Sequence, residues 1–151
     1  METKIIDNFI EDKELLTVLQ NELLHISPHF FQEKMKKGYI YSTDLPMNEI
    51  VNRYLFYKFC KHITQNVELI RFHINVQHQG MFGDFHNDPG DVTGILMLKG
   101  SGSFEFKDGK EIGFVSNRLI IFDAKKVHRG HPPVGNDPRI TLAIKVKFKN
   151  D

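Results

Sequence analysis

Two hydrophobic periods divide the chain. Over residues 12–24, Leu15, Leu19 and Leu23 recur at four-residue spacing with Leu16 and Val18 beside them, which predicts an amphipathic helix. Over residues 47–64, Val51, Leu55, Phe59 and Ile63 recur every four residues and predict a second helix. Between them the period is lost. Pro28, Gly38 and Pro46 break it, while Phe30, Phe31, Tyr39 and Tyr41 make residues 25–46 too aromatic for a disordered linker. A packed loop or short extended piece is expected there, with a lid as one role for it.

After Gln65 the period falls to two, the mark of strands whose successive side chains face opposite ways. In residues 69–79, Ile70, Phe72, Ile74 and Val76 share one face, and Arg71, His73, Asn75 and Gln77 share the other. Residues 92–98, 103–106, 111–115 and 118–122 are further strand candidates. Asp108-Gly109 between two of them supplies the positive φ that a hairpin turn needs. In the last strand Ile140, Leu142, Ile144, Val146 and Phe148 form one apolar face, with Arg139, Thr141 and Ala143 on the other. Seven or eight such segments predict a mainly β barrel or sandwich. If the two helices cover the apolar faces, the polar faces line either the interior or solvent, and periodicity alone leaves that choice open.

Composition narrows the class. At 151 residues, with 40% hydrophobic and 26% charged positions, the chain fits a single domain over 1–151. Residues 1–66 form the helical support with the aromatic loop, and residues 67–151 the β core. Apolar runs are too short to span a bilayer, and the acidic residues among the first seven lack the order of a secretion signal, so a cytoplasmic protein is expected. The single Cys60 cannot form an intrachain disulfide and sits in a helical pattern as a buried thiol. A net charge of +1 and the absence of Trp disfavour nucleic acid as a partner. Lys145, Lys147 and Lys149 read as a solvated basic strip.

The candidate chemistry begins at His86-Asn-Asp88, within the stretch from Gly80 to Asp88. Residues two apart on an extended segment share a face and can reach one metal ion. Alone, such a tripeptide is near chance frequency for this composition. His128, after the strand at 118–122 and a short turn, is the best-placed third ligand; His131 is its competitor, set at a rim by Pro132 and Pro133. Two His and one carboxylate leave coordination positions open, which suits non-haem Fe(II) and O2 better than a closed zinc site. Arg139 with Thr141 on its face could hold a carboxylate; taken alone, Arg139 reads rather as the start of an exposed strand beside Asp137. His25, His29, His62, His73 and His78 read as surface or packing residues, with a place lining a cavity as the lesser alternative for His73, which shares the Asn75 face. Phe82 and Phe85 could flank a substrate or pack at a rim.

Together these residues resemble the Fe(II)/2-oxoglutarate-dependent dioxygenases, in particular their prolyl-hydroxylase-like branch. His86-Asn-Asp88, His128 and Arg139 match that family's His-x-Asp, distal His and basic residue in order. Gly80 matches a glycine the family often carries, and the run from His128 to Gly135 is similar to its His…Pro-Val…Gly segment, stretched by one residue. The opening residues 6–10 before a helix are similar to how many members begin. The resemblance implies a double-stranded β-helix (jelly-roll) barrel buttressed by N-terminal helices. It implies Fe(II) held by His86, Asp88 and His128, 2-oxoglutarate anchored by Arg139 and Thr141, and O2 as the oxidant. Gln77 stands where prolyl-hydroxylase-like members usually carry a cosubstrate-binding Tyr, which implies a rearranged grip. Asn75 is similar to an Asn that alkyl-nucleobase demethylases place near the cosubstrate. A protein or peptide hydroxylase is therefore the first expectation, and an oxidative demethylase or hydroxylase of nucleic acid or a small molecule the second. A cupin-like metal-binding module without activity is a further alternative, although cupins typically open with His-x-His.

Overall fold

The computed structural model describes residues 1–26, 31–34 and 39–149, with side chains of residues 22–40 outside the description. Its elements are β1 (Lys4–Ile6), α1 (Lys13–Ile26), β2 (Phe31–Lys34), β3 (Tyr39–Asp44), α2 (Ile50–Cys60) and β4 (Val67–Gln77). Then follow β5 (Val92–Lys99), β6 (Ser103–Phe106), β7 (Glu111–Gly113), β8 (Arg118–Asp123), β9 (His128–Gly130) and β10 (Arg139–Phe148). The strands form a seven-stranded sheet, ordered β1-β8-β5-β10-β4-β3-β2, and a three-stranded sheet, β7-β6-β9. This is the mainly β jelly-roll that the alternation and the resemblance led one to expect.

Both helices form where the four-residue spacing places them. Asp12 caps α1 by accepting from the Glu14 and Leu15 amides at 2.9 and 3.0 Å, satisfying two N–H groups that a helix start leaves free. Leu19, Leu55 and Phe59 are buried, and Leu15, Leu16, Val51 and Ile63 pack against them. Val18 is exposed, on the far side of the α1 stripe. The aromatic stretch supplies a hairpin, β2–β3, whose second strand joins the large sheet beside β4. The proposed placement of Phe30 lies outside the described residues.

The large sheet is covered on both faces. On β5, β8 and β10, Leu96, Leu98, Leu119, Ile121, Leu142 and Ile144 face the helices. The alternate residues Ile95, Met97, Ile120, Phe122 and Ala143 pack instead with Phe104, Phe106 and Ile112 of the small sheet. The polar face of β4 and β10 therefore looks into the space between the sheets, which settles the choice between interior and solvent.

One strand departs from the simple alternation. Along β4 and β10 the register runs from Arg139↔Gln77 to Lys145↔Arg71, then jumps to Val146↔Leu69, skipping Ile70. This bulge swaps the faces of β4: Phe72, Ile74 and Val76 lie in the core, whereas beyond it Val67 and Leu69 take the core side and Ile70 is exposed. The expected inward position of Ile70 is thus corrected. The turn at Asp108-Gly109 forms as predicted, with Gly109 at φ +89°.

Candidate metal centre

The segment carrying His86 and Asp88 is not a continuous strand. His86 makes an isolated bridge with His128, exchanging backbone hydrogen bonds of 3.0 and 2.8 Å, so it extends the small sheet beyond β9 by one residue. The Asp88 amide donates to the Ala124 carbonyl at 2.9 Å. These backbone bonds, rather than strand alternation alone, bring the three side chains together.

One candidate ligand atom from each of His86, Asp88 and His128 lies within 4.8 Å of the others. His86 Nε2 is 3.9 Å from Asp88 Oδ1, and His128 Nε2 is 3.4 Å from Asp88 Oδ2. The other ring nitrogens face carbonyls: His86 Nδ1 that of Asp84 at 2.9 Å, His128 Nδ1 that of Lys126 at 2.8 Å. A carbonyl only accepts, so each Nδ1 carries a proton, which leaves each Nε2, on the Asp88 side, as the candidate ligand atom. Burial pushes the His128 ring down to about 4, which keeps it neutral near pH 7. Burial raises the Asp88 carboxyl, but the adjacent Lys145 ammonium, with His128 and the Thr93 hydroxyl, outweighs it and holds the group below the usual carboxylate value. Two imidazoles and one carboxylate without a thiolate suit a divalent ion with open positions. Cys60 packs on the helical side of the large sheet, away from this cluster.

A single pocket is lined by these three residues and by the polar face of β4 and β10: His73, Asn75 and Gln77 on one strand, Arg139, Thr141 and Lys145 on the other. Register pairs Arg139 with Gln77 and Thr141 with Asn75, so all four expected cosubstrate residues form one patch. Arg139 is buried. Its Nη1 donates to Gln77 Oε1, its Nε has no partner among the described residues, and burial pushes its pKa down to about 10. Gln77 Nε2 donates onward to the carbonyls of Met81 and Gly130, at 3.1 and 3.3 Å. Among the described residues no carboxylate pairs with Arg139, so the reading in which it sits exposed beside Asp137 does not hold.

Several expectations are amended. His131 bonds Glu105 at 2.7 Å outside the triad. His73, read as packing or surface, lines the pocket fully buried, and its Nδ1 has no hydrogen-bond partner among the described residues. Lys145 is not part of a surface strip: its side chain is 12% exposed and its Nζ lies 2.7 Å from Asp88 Oδ1. Sequence reasoning also missed Thr93, which donates to Asp88 Oδ2 at 2.9 Å, and Phe104, whose ring stacks on His128 at 5.1 Å. The odd-numbered parity of Lys145 with Arg139 was the available signal for its direction. Phe82 and Phe85 stand at the surface, with the Arg129 guanidinium 4.3 Å over the Phe85 ring.

No protein-family model and no curated protein matches the chain. Among solved structures its fold is that of the 2-oxoglutarate-Fe(II) oxygenases. The viral collagen prolyl hydroxylase of Paramecium bursaria chlorella virus-1, solved with 2-oxoglutarate, aligns with a TM-score of 0.73 at 18% identity, over 99% of this chain and 97% of that one. A Pseudomonas putida prolyl-4-hydroxylase aligns with a TM-score of 0.74 at 14% identity, over 98% and 93%. The Trichoplax adhaerens prolyl hydroxylase, solved with a peptide fragment of the hypoxia inducible factor, aligns with a TM-score of 0.75 at 14% identity, over 97% and 83%. Among the described residues no helix is long and apolar enough to cross a membrane.

Proposed function

We propose that the chain is an Fe(II)- and 2-oxoglutarate-dependent oxygenase that hydroxylates a C–H bond of a protein or peptide, a prolyl side chain being the first to test. The observation that carries this reading is one pocket holding both a His-Asp-His cluster and a buried guanidinium that has no carboxylate partner among the described residues. Burying an unpaired cation is unfavourable unless a ligand completes it. A dicarboxylate would do so while its other end reached the metal.

His86, Asp88 and His128 would hold the iron, with the tautomers already set by the Asp84 and Lys126 carbonyls. When bound, Fe(II) supplies the oxidation in which O2 and 2-oxoglutarate convert R–H to R–OH with release of succinate and CO2. Arg139 would receive the far carboxylate of the cosubstrate, with Thr141 and Asn75 beside it. Gln77 fixes the guanidinium from its other side, in the place of the Tyr usual in prolyl-hydroxylase-like relatives. His86 is the most open of the three candidate ligands, at 38% exposure against 2–3% for the others, so substrate would approach on its side.

A protein or peptide substrate is supported by an apolar cleft beside the pocket. Gly83 and Gly130 line the pocket, and Phe82 and His131, next to them in the chain, line the cleft together with Pro132 and Val134. Phe82 and Val134 are exposed there at 52% and 86%. One structural neighbour, the Trichoplax adhaerens prolyl hydroxylase, is solved in complex with a peptide fragment.

The test is anaerobic titration of metal-free protein with Fe(II) and 2-oxoglutarate, followed by the visible charge-transfer band of the chelate. The band is expected for the wild type and not for His86→Ala or Asp88→Ala. A folded wild type that gives no band, or no succinate on admission of air, would sink the assignment. Prolyl peptides would then be screened by mass for a gain of one oxygen atom.

A further inference from the structure

The proposed function leaves the pocket's second cation without a role. Lys145 sits in the middle of the large sheet, in register with Arg71 of β4 and Thr93 of β5, directly before the point where β4 bulges at Ile70. Strands on both sides fix its backbone, and its side chain is almost fully enclosed. From the adjacent strand position Thr93 donates to one oxygen of Asp88, and Lys145 lies 2.7 Å from the other. The two register partners thus grip one carboxylate oxygen each.

The two grips differ in charge. A neutral hydroxyl on Oδ2 leaves that oxygen an effective donor, and Oδ2 is the one nearer His128 Nε2, at 3.4 Å. An ammonium at Oδ1 neutralises much of the carboxylate's charge, and like charges a few ångström apart in a protein interior oppose each other strongly. An ion bound by Asp88 would lie within that range of Lys145.

We propose that Lys145 is a positioning residue of the metal centre that competes with the metal for Asp88. In metal-free protein its ammonium compensates the buried carboxylate. With an ion bound it retains Oδ1, so that Asp88 offers Oδ2 alone and coordination positions stay open. Its charge keeps divalent affinity lower than the same three ligands would otherwise give. This rests on the metal-centre reading above, and the two fail in distinguishable ways.

The experiment is anaerobic Co(II) titration of metal-free wild type, Lys145→Met, Lys145→Gln and Lys145→Arg at neutral pH, with thermal melts of each protein with and without Co(II). Methionine keeps most of the length of the side chain and removes its charge; glutamine is the second neutral variant should the first fold poorly. The neutral variants should bind Co(II) more tightly by about tenfold, the expected direction when a like charge beside the ion is removed. Their metal-free melting temperature should fall, because Asp88 is left buried without its cation. Lys145→Arg should keep wild-type affinity within about threefold, since its charge is retained. A merely structural lysine would lower the melting temperature without tightening Co(II). Weaker binding, or tightening below about threefold in neutral variants that fold, overturns the proposal. No Co(II) binding by folded wild type overturns the metal-centre reading and this proposal with it.

Discussion

Arg139→Met separates the role of a guanidinium in folding from its role in binding. Burial alone lowers the Arg139 pKa from its ordinary value to about 10. At about 1.4 kcal/mol per pH unit, holding the charge inside the metal-free fold costs about 3 kcal/mol. Methionine removes that penalty and keeps most of the apolar stem. It also leaves Gln77 Oε1 without its donor, a loss of about 1–3 kcal/mol for a buried acceptor. The two nearly cancel, so metal-free Arg139→Met should be between neutral and about 2 kcal/mol more stable than wild type in urea unfolding at pH 7. Cosubstrate binding should move the other way. Losing two charge-assisted hydrogen bonds of about 1.5–3 kcal/mol each weakens 2-oxoglutarate by about 10²–10⁴-fold, read from the charge-transfer titration. Adding Gln77→Leu should recover stability without restoring affinity. If Arg139→Met instead loses more than about 2 kcal/mol and still binds 2-oxoglutarate normally, the guanidinium is a structural clamp on Gln77 and the reasoning fails.

Metal-free protein should lose stability steeply in acid through His73 and His128, which burial pushes down to about 3 and about 4. Both are neutral in the fold and take up protons more readily when unfolded, so their contribution is complete above about pH 6.5 and declines as pH falls toward those values. The slope should approach about 1.4 kcal/mol per pH unit for each ring, and His73→Leu should reduce it; an unchanged slope would remove His73 from the account. Gly130→Ala places a methyl group 2.7 Å from Arg139 Nη1 and 3.0 Å from Gln77 Oε1, so it should weaken 2-oxoglutarate at least tenfold, in about the range of a displaced charged hydrogen bond. Equal cosubstrate affinity in calorimetry would show that the pair tolerates displacement. Gly94→Ala drives a methyl group into the Phe59 ring under α2 and should destabilise by about 1–3 kcal/mol in urea, with no selective effect on cosubstrate binding.

Much of the architecture was legible because burial imposes a period. Leu55 and Phe59 recur at helical spacing and cover the sheet; Leu142 and Ile144 alternate with Thr141 and Ala143 because one face of β10 meets the helices and the other the small sheet. The order His86, Asp88, His128, Arg139 and Thr141 pointed to the candidate site because those residue types recur together in the family the chain resembles, and the fold brings them to one pocket. Ile70 was misread since a bulge is a property of two paired strands and leaves no mark on the alternation of one. β1 was missed because three residues carry no period; it forms by pairing with β8.

The sequence by itself determined which faces are apolar, where the helical half ends, and which few side chains can bind a metal or an anion. Tertiary structure decided how they meet. It turned the polar face of β4 and β10 inward, left Arg139 with an amide instead of a carboxylate, and stacked Phe104 on His128. It also sent Lys145 to Asp88 across 57 residues of chain, a contact fixed by the pairing of β10 with β5 and invisible to any local pattern. Local periodicity reports what a residue buries; only the register of distant strands reports what it touches.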